Sequence, residues 1–321
     1  MTTRGSEPAS IDPFVQQWIA GTNGRLYVPV INKLKRYPIP NIPIKPVSGN
    51  LLLDIGCGWG RWMVSAAKSG FLPIGLDIKL EAVQAARRVL TDYGYESYFV
   101  VSDFMNLPFR SCAFDYVFSY SALQHSHRTK TQACIQEINR ILKSSGHAML
   151  QFPLAQGIAN RLRGLPKQTK EADDPDSWVV RYYTLPELEN TFESIFGAFD
   201  YQPDCYLGIG VQGSDLDVLP WKYKPVVIGS ELLKFISKLI PPVGRIADSV
   251  FVSTQKSAKC EPERIQIKNQ SDFLSLLRCP LTGSELSFDS SRKELVSQDA
   301  GIAFPVVDGI PVLIPNQGRT L

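Results

Sequence analysis

The sequence has few of the residues that metal centres and disulfide frameworks need. It holds six cysteines without one CxxC pair, and only three histidines. This argues against a zinc site and against a disulfide scaffold, because both need several suitably spaced thiols or imidazoles. We therefore expect no bound metal, and thiols that suit a reducing compartment.

Long apolar runs are missing as well. No stretch approaches the ~20 apolar residues that a membrane-spanning helix needs, and the opening MTTRGSEPAS lacks the apolar core of a signal peptide. The hydrophobic fraction of 44% is ordinary for a globular protein, and a net charge of +3 neither demands nor excludes a nucleic-acid partner. We expect a cytoplasmic protein without a transmembrane segment.

The 321 residues exceed one typical domain, and the sequence pattern changes along the chain. Prolines recur through YPIPNIPIKP (37–46), which forbids a helix and predicts an extended connector. The predicted segments are an N-terminal arm (1–49), a strand–helix domain (50–254) with insertions at about 153–180 and 211–247, a polar linker (255–267), and a small, mostly β unit (268–321).

Strands and helices alternate between residues 50 and 152. The predicted strands are Leu51–Ile55, Phe71–Leu76, Tyr98–Val101, Tyr116–Ser119 and Ala148–Phe152, and the predicted helices are Arg61–Ser69, Leu80–Tyr93 and Thr129–Lys143. Such alternation predicts a doubly wound α/β sheet of the Rossmann-like kind. Val250–Ser253 is a candidate closing strand, and an Asp-Gly turn in VVDGIPVLI (306–314) predicts a hairpin in the small unit.

The stretch LLLDIGCGWGRW (51–62) places three glycines directly after a buried strand, at every second position. A glycine turn between strand and helix lets the backbone approach a ligand and offers it helix N-terminal amides. The dinucleotide pattern is G-x-G-x-x-G, whereas the third glycine here comes one position early. The spacing D-x-G-x-G-x-G resembles motif I of class I S-adenosylmethionine-dependent methyltransferases.

Three further stretches resemble the same family, in order and at suitable spacing: GLDI (75–78), VSDFMNLPF (101–109), and FDYVFSYSALQH (114–125) followed by EINRILKSSGHAML (137–150). The resemblance implies S-adenosylmethionine as cofactor, with Asp77 on the ribose hydroxyls, Asp103 on the adenine amino group and Phe104 beside the ring. The full set of expected cofactor residues is Asp54, Gly56, Gly58, Trp59, Gly60, Asp77, Ile78, Asp103, Phe104 and Ser119. Packing alone is the alternative role for Trp59.

Methyl transfer to oxygen or carbon needs a base that titrates near neutral pH. His125 is the candidate, because it follows the fourth strand at the carboxyl edge of the sheet, where ligands bind. Its alternative roles are to cap the next helix or to contact the cofactor. His127 is a weaker candidate, and His147 precedes the fifth strand and is expected to lie far from the site.

The arm and the insertions are expected to supply the acceptor pocket. Candidate acceptor contacts are Tyr27, Trp178, Arg181, Tyr182 and Tyr183. Core packing is the alternative for these aromatic residues, and a pairing with the acids of 171–176 is the alternative for Arg181.

The acceptor class is narrowed by what the fourth motif lacks. SYSA (119–122) replaces the Asn-Pro-Pro-Tyr or Asp-Pro-Pro-Tyr of exocyclic-amine methylases, and no Pro-Cys nucleophile is present. We expect a hydroxyl, carboxyl or carbon acceptor on a small molecule, natural product or glycan. The alternatives are a tRNA or rRNA methyltransferase and a non-catalytic scaffold that binds the cofactor.

The final unit, from RCPLTG (278–283) to AGIAFPVVDGIPVLIP (300–315), is similar to small zinc-ribbon-derived proteins that include activator subunits of tRNA, rRNA and release-factor methyltransferases. Only Cys279 remains of the zinc ligands, and Thr282 stands where the second cysteine would be, so a metal-free version is implied. The resemblance implies docking in cis or homodimerisation, and it supports the RNA alternative.

Two surface features remain open. The basic residues Arg161, Arg163, Lys167 and Lys170 could contact RNA phosphates, or could form a solvated loop balanced by the acids that follow. The segment Leu232–Leu239 could rest on a membrane, with lid or core packing as the alternative.

Overall fold

The computed structural model describes residues 5–23, 25–30, 32–45, 49–162, 179–208, 210, 212–260 and 265–321. These residues form a seven-stranded mixed sheet with helices on both faces, followed by a small antiparallel sheet. The α/β fold expected from the alternation is thereby confirmed. Within the described part of the chain, every helix is too short or too polar to span a bilayer.

The large sheet has the order β3-β2-β1-β4-β5-β7-β6. Its strands are β1 (Leu51–Ile55), β2 (Leu72–Asp77), β3 (Tyr98–Val101), β4 (Phe114–Ser119), β5 (Leu142–Pro153), β6 (Asp200–Cys205) and β7 (Ser249–Gln255). The first five pair in parallel, and β7 runs antiparallel to both of its neighbours. The carboxyl ends of β1 to β4 therefore meet at one edge.

Helices cover both faces of the sheet, and five of them pack buried apolar residues against it. The helices are α1 (Pro13–Thr22), α2 (Arg61–Lys68), α3 (Leu80–Asp92), α4 (Arg128–Ile141), α5 (Ile158–Leu162), α6 (Leu185–Phe196), α7 (Lys224–Leu239), α8 (Pro241–Gly244) and α9 (Gln270–Ser275). One apolar core joins α1, α2 and α3 to the sheet, and a second joins α4 and α6 to its other face.

Two elements differ from the sequence prediction. Strand β6 was not predicted, because DYQPDC alternates exposed polar residues with a proline, as an edge strand can. Strand β5 begins at Leu142, six residues earlier than expected, so Lys143 lies in the strand and not in the helix. Local sequence favoured a helix there, and pairing with β4 overrides it.

The structure also joins Cys112 and Cys260 by a disulfide, with 6.3 Å between their Cα atoms. This single pairing differs from the expectation that the cysteines are thiols suited to a reducing compartment. The two residues are 148 positions apart in the chain, so no local spacing could indicate it.

The small unit has strands β8 (Ser287–Asp289), β9 (Glu294–Ser297), β10 (Ile302–Val307), β11 (Ile310–Pro311) and β12 (Arg319–Thr320). It docks against β3, the edge strand of the large sheet: the amide of Leu313 donates to the carbonyl of Val101 at 2.7 Å. Phe273 stacks on Tyr98 with 5.1 Å between ring centroids. One continuous apolar core contains residues of both units. The small unit therefore closes an edge that would otherwise be open to pairing.

Candidate functional site

A cavity of about 990 Å³ lies at the carboxyl edge of the parallel strands, where α/β sheets place their ligands. Four segments of the sheet contribute to its wall: the turn after β1, the end of β2, and the loops after β3 and β4. Helix α1 and the residues that follow it cover the cavity with Gln17, Trp18 and Asn23. The N-terminal arm is therefore part of the site.

The glycine turn shapes one side of this cavity. Gly56 and Gly58 have φ of 73° and 52°, in the left-handed region that disfavours side chains. A Cβ at Gly56 would also overlap the Cβ of Ala122 in the loop after β4. Because neither position carries a side chain, the backbone is open to close approach by a ligand in the cavity.

Asp77 is fixed at the end of β2 by backbone amides. Its Oδ2 accepts from the amide of Gly58 at 3.0 Å, and its Oδ1 accepts from the amide of Lys79 at 3.1 Å. Burial raises the pKa of Asp77, and these backbone hydrogen bonds oppose that rise. Each oxygen keeps a lone pair for a further donor. The carboxylate can therefore accept hydrogen bonds from hydroxyl groups of a ligand in the cavity.

Three more expected cofactor residues lie on the cavity wall: Ile78, Asp103 and Phe104. The Oδ1 of Asp103 accepts from the amide of Met105 at 2.8 Å, which fixes the side chain in the loop after β3. The structure thus brings the end of β2 and the loop after β3 to one cavity.

Three other expected cofactor residues are buried. Asp54 is 1% exposed and lies off the wall, and burial together with the charge of Asp77 raises its pKa to about 8. Ser119 is also behind the wall, because its Oγ donates to the carbonyl of Ile55 at 2.8 Å and ties β4 to β1. Trp59 reaches the wall, but its Nε1 donates to Asn23 at 3.0 Å and its ring stacks on Tyr37, so it mainly anchors the arm.

His125 lies on the cavity wall in the loop after β4. Burial lowers its pKa, the charge of Arg181 lowers it further, and a hydrogen bond to the backbone of Val179 opposes both. The imidazole is therefore neutral near pH 7 and able to accept a proton. The capping role belongs instead to His127, which is the N-cap of α4. His147 stacks on Tyr116, away from the cavity.

The candidate acceptor contacts lie behind the wall. Tyr27 is 1% exposed and donates to Asp215, Arg181 donates to the carbonyl of His125 at 2.9 Å, and the hydroxyl of Tyr183 bonds to Thr131. Tyr182 accepts Arg128 through its backbone carbonyl. Tyr27, Arg181 and Tyr183 are buried and hydrogen-bonded within the fold, whereas Tyr182 is half-buried. Trp178 lies outside the described residues.

Sequence reasoning missed several residues of the wall, above all Arg61. Its side chain is 7% exposed and lines the cavity, with Nη2 3.6 Å from the Oδ1 of Asp215. Among the described residues, neither Nε nor Nη2 has a hydrogen-bond partner. Its position directly after the third glycine could have indicated this role, because the first residue of α2 lines the same cavity as the glycine turn.

A buried polar network forms a second missed feature. Tyr120 on the wall donates to Asp204 at 3.0 Å, and Gln212 donates to both of them at 2.7 and 2.8 Å. Burial is the main cause that raises the pKa of Asp204. Asp204 lies on β6, so the network could not be found without that strand.

Comparison with known proteins finds one family match in the large domain and one in the small unit. Residues 52–146 match the family model described as methyltransferase domain, and residues 270–309 match the model described as Trm112p-like protein. A UPF0434 protein of Methylobacterium sp. (strain 4-46) is 48% identical over 61 residues, which is 19% of this chain and 86% of that protein. A UPF0434 protein of Anaplasma phagocytophilum is 52% identical over 48 residues, 15% of this chain and 68% of that protein.

Solved structures are more distant. A Methanosarcina mazei S-adenosylmethionine-dependent methyltransferase is 18% identical, with a TM-score of 0.46 over 66% of this chain and 94% of that chain. A chain from the complex between the Haloferax volcanii Trm112 methyltransferase activator and a methyltransferase is 16% identical, with a TM-score of 0.45 over 78% of this chain and 96% of that chain. The chain therefore contains an S-adenosylmethionine-dependent methyltransferase domain, matched over residues 52–146, and its C-terminal part is a Trm112p-like domain that belongs with the UPF0434 proteins.

Proposed function

We propose that this protein methylates a hydroxyl, carboxyl or carbon atom of a small-molecule, natural-product or glycan acceptor. The observation that carries the proposal is one cavity that combines the glycine turn, Asp77 and Asp103 with the neutral imidazole of His125. At about 990 Å³ the cavity is at the upper end of the usual range for ligand pockets, ~300–1,000 Å³, so it has room for a donor and an acceptor.

The residues of the wall fit S-adenosylmethionine, which supplies an electrophilic methyl group when bound. Asp77 would accept hydrogen bonds from the ribose hydroxyls, and Asp103 would accept one from the adenine amino group. Phe104 and Ile78 would flank the adenine ring. The turn from Gly56 to Gly60 would hold the rest of the cofactor against backbone amides. Trp18 and Trp62 also line the cavity and would shield the reacting atoms from water.

Binding of S-adenosylhomocysteine by calorimetry tests the donor half of this proposal. Incubation with tritiated S-adenosylmethionine and metabolite extracts tests the acceptor half. A folded protein that binds no S-adenosylhomocysteine would contradict the proposal, and one that binds it but labels nothing would favour the non-catalytic scaffold.

Replacing His125 with glutamine should reduce methyl transfer roughly 10²–10⁴-fold, as expected for loss of a general base. A base works in its neutral form, and burial lowers the pKa of His125. Transfer by the wild-type protein should therefore persist below pH ~6.5, the ordinary histidine value, and fall only at lower pH. The measurement is transfer rate against pH.

The matched control for this experiment is His147→Gln, because His147 is off the cavity wall. It should leave the rate unchanged, and both variants should bind S-adenosylhomocysteine normally. Full activity in His125→Gln would remove the proposed role.

Arg61 is proposed to bind the carboxylate of a ligand. That contact would give hydrogen-bond acceptors to Nε and Nη2, which have none among the described residues. Arg61→Gln should weaken S-adenosylhomocysteine about 10–100-fold, which corresponds to the loss of charged hydrogen bonds. It should leave 5′-methylthioadenosine, which lacks the amino-acid carboxylate, unaffected. Calorimetry measures both, and Arg61→Lys keeps the charge beside Asp215 as a control.

Equal losses for the two ligands would contradict a carboxylate contact to the cofactor. If neither affinity changes, the guanidinium remains available for an acidic acceptor. Binding of succinate to the protein saturated with S-adenosylhomocysteine, compared between wild type and Arg61→Gln, tests that second source.

The Trm112p-like domain favours a second candidate function, methylation of tRNA or rRNA. Of the basic residues considered for phosphate contacts, Arg161 is exposed, and Arg163, Lys167 and Lys170 lie outside the described residues. Binding to bulk tRNA that weakens steeply with added salt would support this candidate, and an absence of binding at low salt would contradict it.

A further inference from the structure

Helix α7 presents a line of large apolar side chains to solvent. Ile228, Leu232, Phe235 and Leu239 are 55%, 56%, 60% and 69% exposed. Their spacing of four, three and four residues places them on one face of the helix. Trp221, 82% exposed, precedes the line, and Ile240, 52% exposed, follows it. Contiguous exposed apolar surface of this kind marks an interaction site.

The helix is anchored to the rest of the fold by its other face. The buried positions include Ser230 and Ser237, two small polar residues, together with Val227. The Oγ of Ser230 accepts from the amide of Tyr206 at 2.9 Å and ties α7 to the segment after β6. Val226 and Leu233 are partly buried against the core on this side as well. Because these contacts fix the rotation of α7, its line of four exposed apolar side chains is held towards solvent.

The charges around this line are cationic. Lys222 lies exposed at one end, and Lys238 and Arg245 lie exposed at the other. The acid on the flank of α7, Glu231, is paired with Lys234 at 2.7 Å, and Asp217 before the helix is paired with Arg36 at 2.8 Å. Among the described residues, the charges at both ends of the apolar line that have no ion-pair partner are therefore positive.

We propose that the exposed face of α7 binds the surface of a bilayer that carries anionic phospholipids. The helix lies in the interface, with its apolar line among the acyl chains and its lysines at the headgroups. Trp221 sits at one end, as is usual for a residue with an apolar body and a polar tip at a membrane surface. A second copy of the chain is a poorer occupant, because two-fold antiparallel packing of this line would bring Lys222 of one copy towards Lys238 and Arg245 of the other.

Vesicle flotation with the full chain tests the proposal. The protein should float with vesicles of phosphatidylcholine and phosphatidylglycerol at low salt, and should do so far less with phosphatidylcholine alone. The double variant Leu232→Gln, Phe235→Gln should reduce the bound fraction at least about tenfold, because two large apolar side chains no longer enter the interface. The variant Lys222→Gln, Lys238→Gln should remove the preference for phosphatidylglycerol.

Phe288→Gln is the matched control, because Phe288 is 47% exposed on the small unit and not on α7. It should float like the wild type. All variants should keep the far-ultraviolet dichroism, the unfolding temperature and the S-adenosylhomocysteine affinity of the wild type. Failure of the folded wild type to float overturns the proposal. So does a dimer in light scattering that Leu232→Gln, Phe235→Gln makes monomeric, since the face would then bind a second copy.

Discussion

Replacing Asp77 with asparagine should weaken S-adenosylhomocysteine at least about 100-fold while the protein stays folded. The carboxylate is proposed to accept two ribose hydroxyls, and charge-assisted hydrogen bonds contribute about 1.5–3 kcal/mol each. Asparagine offers one acceptor in place of two oxygens, and its amide group would face either a ribose hydroxyl or the amide of Gly58. Calorimetry measures the affinity, and far-ultraviolet dichroism checks the fold.

The protein should still fold after this change, because the substitution removes the repulsion between Asp77 and the nearby Asp54. The charge of Asp77 contributes to the raised pKa of Asp54, and burial raises the pKa of Asp77 itself. A neutral amide at residue 77 removes that repulsion. Asp115→Asn is the control: Asp115 also belongs to a sheet strand, but it pairs with Lys143 at 2.9 Å and is away from the cavity. Wild-type affinity in Asp77→Asn would remove Asp77 from the cofactor site.

Removing residues 268–321 should leave a methyltransferase domain that aggregates or does not fold. Phe273, Leu276 and Phe304 are at most 1% exposed and belong to the same apolar core as Val100 and Phe109 of the large domain. Each large apolar side chain contributes about 1.5–3 kcal/mol when buried, and a domain's stability is only about 5–15 kcal/mol. Truncation also exposes the edge of β3 to pairing with other chains.

A single substitution in the small unit should weaken the fold without removing the unit. Phe273→Ala should destabilise the whole chain by about 3–5 kcal/mol, as is typical for a buried phenylalanine, and should lower a single unfolding transition measured by calorimetry. Leu281→Ala, in the same unit but 51% exposed, should leave that transition almost unchanged. Two separate transitions, with only the smaller one affected, would show that the units fold independently.

The sequence was sufficient where the determinants are local. The apolar run of β1, the glycines after it and Asp77 at the end of β2 lie in one short region, and the order of strands brings their ends together. The prediction was weaker for Tyr27 and Arg181. An aromatic or cationic residue suits an acceptor site or a buried contact equally, and only the fold places Asp215 and the carbonyl of His125 beside them.

The contact between Leu313 and Val101 has a consequence for stoichiometry. The domain that covers the β3 edge is part of the same chain, so its local concentration is set by the linker and not by expression level. Dilution cannot separate the two, and each catalytic domain has one cover. A separate Trm112p-like protein could bind the β3 edge only by displacing the domain that is tethered to it. Binding of such a protein to this edge is therefore disfavoured.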